Sequence, residues 1–110
     1  MNANLEELVK EINAVNRAWK EASEMGDCLK RISQSLKDLK DRLQVRLLRQ
    51  YAPDRVYLEL DTENPDTQGE ELYSLRLRQP LAQYKNAAHL PVRVARNVLS
   101  EQELQQFIQH

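Results

Sequence analysis

Few side chains in this sequence could do chemistry, and their spacing matches no catalytic or metal-binding motif. Cys28 is the only cysteine, and His89 and His110 are the only histidines. Their separation gives neither a metal-ligand spacing nor a nucleophile–base pair. Gly26 and Gly69 are the only glycines, whereas phosphate-binding loops need several so that the backbone can approach the phosphate. The sequence therefore predicts no catalytic residue, no cofactor and no metal ligand.

An acidic segment at residues 61–71 gathers oxygen atoms that a hard cation could use. Its carboxylates are Asp61, Glu63, Asp66, Glu70 and Glu71. The segment departs from the EF-hand pattern, because Asp66 stands where glycine is needed and Leu72 stands where glutamate is needed. A solvated hairpin tip is the main interpretation. A looser cation site and a surface for a basic partner are the alternatives.

A basic block lies between two acidic regions. Residues 1–27 and residues 51–110 each carry a net charge of −3, whereas residues 28–50 carry +5, so the whole chain has −1. The basic side chains fall at helical spacings and could contact phosphates or an acidic partner. They are Lys30, Arg31, Lys37, Lys40, Arg42, Arg46 and Arg49. No aromatic side chain is interleaved with them, so stacking on nucleic-acid bases is not indicated.

The elements that must position these side chains begin with an apolar stripe through the first half of the chain. Apolar residues recur there at spacings of three and four, the pattern of a helix packed lengthwise against another helix. This stripe, called the seam, comprises Leu5, Leu8, Ile12, Val15, Trp19, Ala22, Met25, Leu29, Ile32, Leu36, Leu39 and Leu43. Trp19 is its largest side chain and the expected anchor of an association.

The spacing of apolar residues in the seam changes at Met25, Gly26 and Asp27. Two consecutive spacings of three residues occur there instead of one of three and one of four. Glycine favours the position just past a helix end, and aspartate favours the position just before a helix. Two structures fit this pattern. A hairpin that folds at Gly26-Asp27 would close the seam within one chain, whereas a single helix of about 45 residues would need a second chain.

The second half of the chain changes to a period of two. Alternating apolar residues at 56–60 and 73–77 predict two strands of an antiparallel hairpin, with the second strand ending at Pro80. A weaker alternation at 90–94 predicts a third strand. This strand should lie at a sheet edge, because Pro91 has no N–H to donate to a neighbour.

A short helix is predicted at the C-terminal end. Ser100 and Glu103 form a capping-box pattern, and Leu99 and Leu104 stand at the two positions of a hydrophobic staple. The predicted class is therefore α+β, with an N-terminal helical hairpin or long coiled-coil helix, a three-stranded antiparallel sheet and a short C-terminal helix. Residues 1–52 form the helical region and residues 53–110 the sheet with the terminal helix. We expect the two regions to be one structural unit.

The seam determines the main functional hypothesis, because it occupies more of the chain than any other pattern. It predicts a non-enzymatic adaptor or assembly module that forms a homodimer, or binds another protein, through the seam. The alternative is an accessory protein that binds nucleic acid through the basic helix at residues 28–50.

A second alternative comes from the order of the predicted elements. Helices followed by a short antiparallel sheet and a terminal helix resemble small ribonuclease toxins of the RelE type, although this chain lacks a first strand. The resemblance covers element order alone, and it implies a small RNA-cleaving enzyme. His89 would then be the general base. The net charge of −1 is not what an RNA-binding surface favours.

The sequence also bears on location. Residues 1–10 are polar and acidic, without the basic start and apolar run of a signal peptide. No stretch approaches the roughly 18 continuous apolar residues that span a bilayer, and the lone Cys28 excludes an intramolecular disulfide. We therefore expect a cytoplasmic protein without a membrane partner.

Overall fold

A computed structural model describes residues 2–26, 29–61, 70–81 and 84–108 of the chain. The elements in chain order are α1 (Asn2–Glu24), α2 (Lys30–Tyr51), β1 (Val56–Asp61), β2 (Leu72–Leu81), β3 (Tyr84–Pro91), α3 (Val92–Val98) and α4 (Glu101–Phe107). The strands form an antiparallel sheet in the order β1-β2-β3. The predicted α+β class is confirmed.

The two long helices form a hairpin, so the single continuous helix is excluded. α1 ends at Glu24 and α2 begins at Lys30, which leaves a connection within the two to five residues usual for such a pair. Gly26 lies just past the end of α1 with a φ of +85°, a left-handed conformation that glycine adopts without steric cost. Asp27, the predicted start of the second helix, lies outside the described residues, and Leu29 directly precedes α2.

One face of the sheet packs against the helices and forms a hydrophobic core with them. Leu47 and Leu48 of α2 are fully buried there, together with Leu58 of β1 and Leu75 of β2. The apolar residues of α2 spread over a wider face toward its C-terminal end, as expected where a helix docks on a sheet. Val9 is also fully buried although it is not part of the seam, because α1 packs against β3 as well as α2.

The second strand continues past its predicted end. β2 runs to Leu81 and includes Pro80, so the predicted stop at Pro80 is wrong. β1 pairs with β2 only as far as Leu77. The Arg78 N–H still donates to the Arg55 carbonyl directly before β1, but past Arg78 the described pairing of β2 is with β3. A residue without an N–H is tolerated where a strand has an open side. The predicted loop between β1 and β2 falls at residues 62–69, outside the described residues.

The third strand lies earlier in the chain than predicted. The strand predicted at residues 90–94 is wrong beyond Pro91, because the chain enters α3 directly afterwards. Val92, Ala95 and Leu99 are buried at the spacings of a helix. A short stretch of apolar residues can satisfy a period of two and a helical period together, so the alternation did not distinguish them. β3 is an edge strand, as Pro91 predicts.

The capping box at the C-terminal helix is confirmed. The Glu103 N–H donates to the Ser100 Oγ at 3.1 Å, and the Ser100 N–H donates to the Glu103 carboxylate at 3.0 Å. Arg49 of α2 donates to the same carboxylate at 2.9 Å, and this bond holds the pKa of Glu103 below its usual range. Ile108, directly after α4, forms a parallel bridge with Leu58. The outer edge of β1 is therefore covered at its centre.

The outer edge of β3 is covered by polar side chains of α2. The Gln44 Nε2 donates to the Ala87 carbonyl at 2.9 Å and to the His89 carbonyl at 3.1 Å. The Lys40 Nζ also donates to the His89 carbonyl, at 3.0 Å. The strand is irregular here, because its register shifts and Ala88 has a left-handed φ of 64°. Buried carbonyl groups of an edge strand need donors from elsewhere. α2 supplies them to Ala87 and His89, and Asn13 of α1 donates to the Asn86 carbonyl at 3.3 Å.

Replacing Gln44 with leucine tests this arrangement. Gln44→Leu should lower the free energy of unfolding by about 1–3 kcal/mol, because the Ala87 carbonyl loses its donor while it stays buried. Urea unfolding followed by circular dichroism measures the change. Gln50→Leu is the matched control, because Gln50 is an exposed residue of the same helix. Equal stability of the Gln44→Leu variant and the wild-type protein would show that the edge does not depend on this side chain.

Candidate interaction surfaces

The seam is buried in one part and only partly covered in another. Members that belong to the hydrophobic core or pack against it are Leu5, Leu8, Ile12, Val15, Leu39 and Leu43. The other members lie outside that core and are called the distal seam: Trp19, Ala22, Met25, Leu29, Ile32 and Leu36. The sheet therefore completes the burial of one half of the hairpin only.

The distal seam exposes much of its apolar surface. Met25 is 69% exposed and Ile32 is 54% exposed, whereas Ala22 is buried between the helices. The Ser23 and Ser33 hydroxyl groups share a hydrogen bond of 2.8 Å across the hairpin. Two helices cover each other along one line of contact, so the flanks of that line stay exposed where no further layer packs on them.

Trp19 marks the boundary between the buried seam and the distal seam. Its ring is half-buried and lies beneath two lysines of α2. The ammonium group of Lys40 is 4.7 Å from the ring centre, and that of Lys37 is 5.8 Å away. A cation over an indole face is attracted by the ring quadrupole. The expected anchor residue thus already holds α1 to α2 within one chain.

The prediction that Lys40 belongs to an exposed basic surface is wrong. Lys40 is 3% exposed, because α2 turns it toward β3, where its ammonium group reaches the His89 carbonyl. Burial lowers the pKa of Lys40 from 10.5 to about 8, and the neighbouring Asp41 carboxylate opposes that shift. A buried ammonium group does not reach a phosphate chain or an acidic partner.

The remaining basic side chains of α2 fall into two groups. Lys30 and Arg31 are exposed beside the hairpin connection, and Lys37 is half-buried over Trp19. Arg42, Arg46 and Arg49 are exposed near the other end of the helix. The buried Lys40 lies between the groups, so the structure does not present the seven predicted residues as one continuous basic surface.

The second group lines a groove that the sequence did not predict. Between α2 and α3 lies a cavity of about 400 Å³, lined by Arg42, Val45, Arg46, Arg49 and Val98 among others. An adjoining cavity of about 430 Å³ shares part of this lining and extends toward residues 94 and 97. Both together are called the α2–α3 groove. The sequence did not predict the groove because the first residues of α3 were interpreted as part of a strand.

One carboxyl group in the α2–α3 groove is poorly satisfied. Asp41 lines both cavities, and its Oδ1 atom is buried without a hydrogen bond from any residue that the structure describes. Burial raises the pKa of Asp41, while the adjacent Lys40 opposes the rise. A buried acceptor without a donor is costly and rare in folded proteins.

The open face of the sheet carries a different set of polar pairs. The His89 Nε2 and the Asp61 Oδ2 are 2.8 Å apart, which links β3 to β1 across the central strand. The Arg78 guanidinium lies 4.6 Å from the Tyr57 ring centre. A carboxylate that orients an imidazole is an arrangement used in acid–base chemistry. The sequence did not reveal this pairing, because residues 61 and 89 become neighbours only through strand order.

The acidic segment is only partly within the described residues. Asp61 pairs with His89, and Glu70 pairs with Arg93 at 3.0 Å. Residues 62–69, together with Cys28 and His110, lie outside the described part. Within the described ranges, no group of three His, Cys, Asp or Glu side chains is placed to hold a metal ion.

Comparison with known proteins adds no relative. No protein-family model, no curated protein and no solved structure matches this chain. Among the helices of the described ranges, none is both long and apolar enough to cross a bilayer. What the protein does must therefore follow from its own surfaces.

The buried lysine predicts a dependence of stability on pH. Between pH 8 and 10.5 the unfolded chain binds a proton at Lys40 that the folded chain releases, so the free energy of unfolding rises with pH in that window. Relative to a Lys40→Met variant, the wild-type protein should gain up to about 3 kcal/mol across it. Urea unfolding at a series of pH values measures the gain.

Lys37→Met is the control for this experiment, because Lys37 contacts the same indole ring but is only half-buried. The control should keep the rise of stability with pH. A constant difference between wild type and Lys40→Met from pH 8 to 10.5 would contradict the assignment.

Proposed function

We propose that this chain is a non-enzymatic assembly module that forms a homodimer through the distal seam. The observation that carries the proposal is the contrast between the two parts of the seam. The part beside the sheet is buried, while Met25 and Ile32 in the distal part are more than half exposed. A second copy would supply the layer that the sheet does not provide there.

The geometry of the hairpin favours a second copy as the occupant. Two hairpins packed by a two-fold axis make a four-helix arrangement, in which each distal seam covers the other. In a two-fold interface the same patch occurs on both sides, so an apolar stripe meets an apolar stripe. Such an interface buries the distal seam of both copies without a further protein.

Charges beside the distal seam are also complementary between copies. Glu21 and Glu24 are exposed on α1, and Lys30 and Arg31 are exposed on α2. None of these four side chains forms an ion pair with another residue in the described part of the chain. When α1 of one copy lies beside α2 of the other, the acids face the bases, which favours that orientation over its reverse.

The expected affinity is moderate. Full burial of an isoleucine or methionine side chain contributes about 1.5–3 kcal/mol, and a dimer buries two of each. Association itself costs several kcal/mol in lost translational and rotational freedom. The surplus from these four side chains is at most a few kcal/mol, so the dimer should dissociate readily on dilution.

The two alternative functions have less support. Binding of nucleic acid along the whole basic helix requires a continuous row, but Lys40 is buried and Arg49 is engaged by Glu103. The ribonuclease hypothesis depends on His89, whose pairing with Asp61 would suit acid–base chemistry, but neither residue lines the α2–α3 groove. Both hypotheses stay predictions, and each lacks a surface comparable with the exposed part of the seam.

Replacing Ile32 with glutamate tests the proposed dimer. The single chain has a mass of 12.9 kDa, so light scattering on a size-exclusion column should give twice this mass at high concentration and fall toward it on dilution. Ile32→Glu should raise the dimer dissociation constant by about tenfold or more, because the interface would bury two unpaired carboxylates.

Leu60→Glu is the matched control, because Leu60 is 41% exposed on β1 and lies outside the seam. This variant should keep the wild-type dilution curve, and circular dichroism should show that both variants fold. A wild-type protein that is monomeric at every concentration would overturn the proposal. An unchanged dilution curve of Ile32→Glu would do the same.

A further inference from the structure

The α2–α3 groove offers an apolar floor that the fold leaves accessible. Val45 forms part of its base and is buried, while Val98 on the opposite helix is 46% exposed. Val94 extends the apolar side of the groove into the adjoining cavity. An aliphatic side chain of a ligand can therefore pack between the two helices.

The rim of the groove carries guanidinium groups in an ordered row. Arg42 and Arg46 lie one helical turn apart and are exposed, and neither forms an ion pair with a residue that the structure describes. Arg49 is held in place, because it donates to the Glu103 carboxylate at 2.9 Å and to the Val98 carbonyl at 3.3 Å. Planar guanidinium groups bind carboxylates through paired hydrogen bonds.

The acids of the groove restrict the class of ligand. Asp38 and Asp41 line it beside the arginines, so a ligand must present hydrogen-bond donors as well as anionic groups, and the phosphate chain of a nucleic acid offers only acceptors. No aromatic side chain is among the described lining residues, so the groove has no platform for base stacking. The Asp41 Oδ1 needs a donor, and a peptide carries donors on its backbone.

We propose that the α2–α3 groove binds an acidic, partly aliphatic segment of a partner protein. Carboxylates of that segment pair with Arg42 and Arg46, an aliphatic side chain packs on Val45 and Val98, and an N–H or hydroxyl group donates to Asp41. The groove is separate from the proposed dimer surface, since Arg42 stands about 15 Å along α2 from Ile32. The module would thus bring two partner segments together for each dimer.

A selection from random peptides displayed on phage tests the proposal without assuming a sequence. Peptides are selected on the wild-type protein after depletion on the Arg42→Glu/Arg46→Glu variant. The recovered peptides should be enriched in Asp, Glu, Leu, Ile and Val. Labelled copies should bind the wild-type protein at least about tenfold more tightly than the variant in fluorescence anisotropy.

Arg17→Glu/Lys85→Glu is the matched control, because it makes the same change of net charge at exposed residues outside the groove. It should bind the selected peptides as the wild-type protein does. Val98→Asp should weaken the binding of these peptides even though the arginines remain. Circular dichroism confirms that each variant is folded before its binding is compared.

Three outcomes would overturn the inference. Peptides without an excess of acids, or a selection that leaves no peptide after depletion, would show that the groove does not read acidic segments. Equal loss of binding in the control variant would point to net charge alone. Salt-dependent binding of a labelled DNA duplex or single strand that requires Arg42 and Arg46 would assign the groove to nucleic acid. The same measurements on Ile32→Glu separate a failure of the groove from a failure of the dimer.

Discussion

The unpaired carbonyl groups of β3 determine where α2 can lie. Gln44 and Lys40 reach these groups from the middle of the helix, so the axial position and the rotation of α2 are both set by hydrogen bonds to the sheet edge. A buried polar network with satisfied hydrogen bonds favours one arrangement of the elements that it joins, and it acts here together with the apolar core that holds α2 on the sheet.

The three sides of α2 consequently make different contacts. Its apolar side packs on the sheet, its polar side closes the β3 edge, and its arginine side faces α3. A charge count along the sequence treats seven basic residues as one group, but Lys40 lies on the side that closes the β3 edge, whereas Arg42, Arg46 and Arg49 lie on the side that faces α3. Burial of the Lys40 ammonium group is costly, and its contacts with the His89 carbonyl and the Trp19 ring offset part of that cost.

Features that depend on contacts between near neighbours in the chain could be predicted from the sequence. Features that depend on contacts between distant residues could not. The two helices that carry the seam, the turn at Gly26 and the capping box at Ser100 rest on contacts within a few residues or on helical periods, and all are found in the structure. The start of α3 and the burial of Lys40 rest on packing against elements elsewhere in the chain. No local pattern marks the carbonyl groups of β3 as partners of α2, and the α2–α3 groove was not predicted because the start of α3 was interpreted as a strand.

Trp19 is the only tryptophan of the chain, and its position gives the molecule an internal optical reporter. The ring lies at the junction of the two parts of the seam with an ammonium group 4.7 Å from its centre. Indole emission responds to a nearby charge and to the polarity around the ring, so one unlabelled chromophore senses the ionisation of Lys40, the coverage of the hairpin and the integrity of the helix pair. Each state of the protein should therefore carry its own emission spectrum.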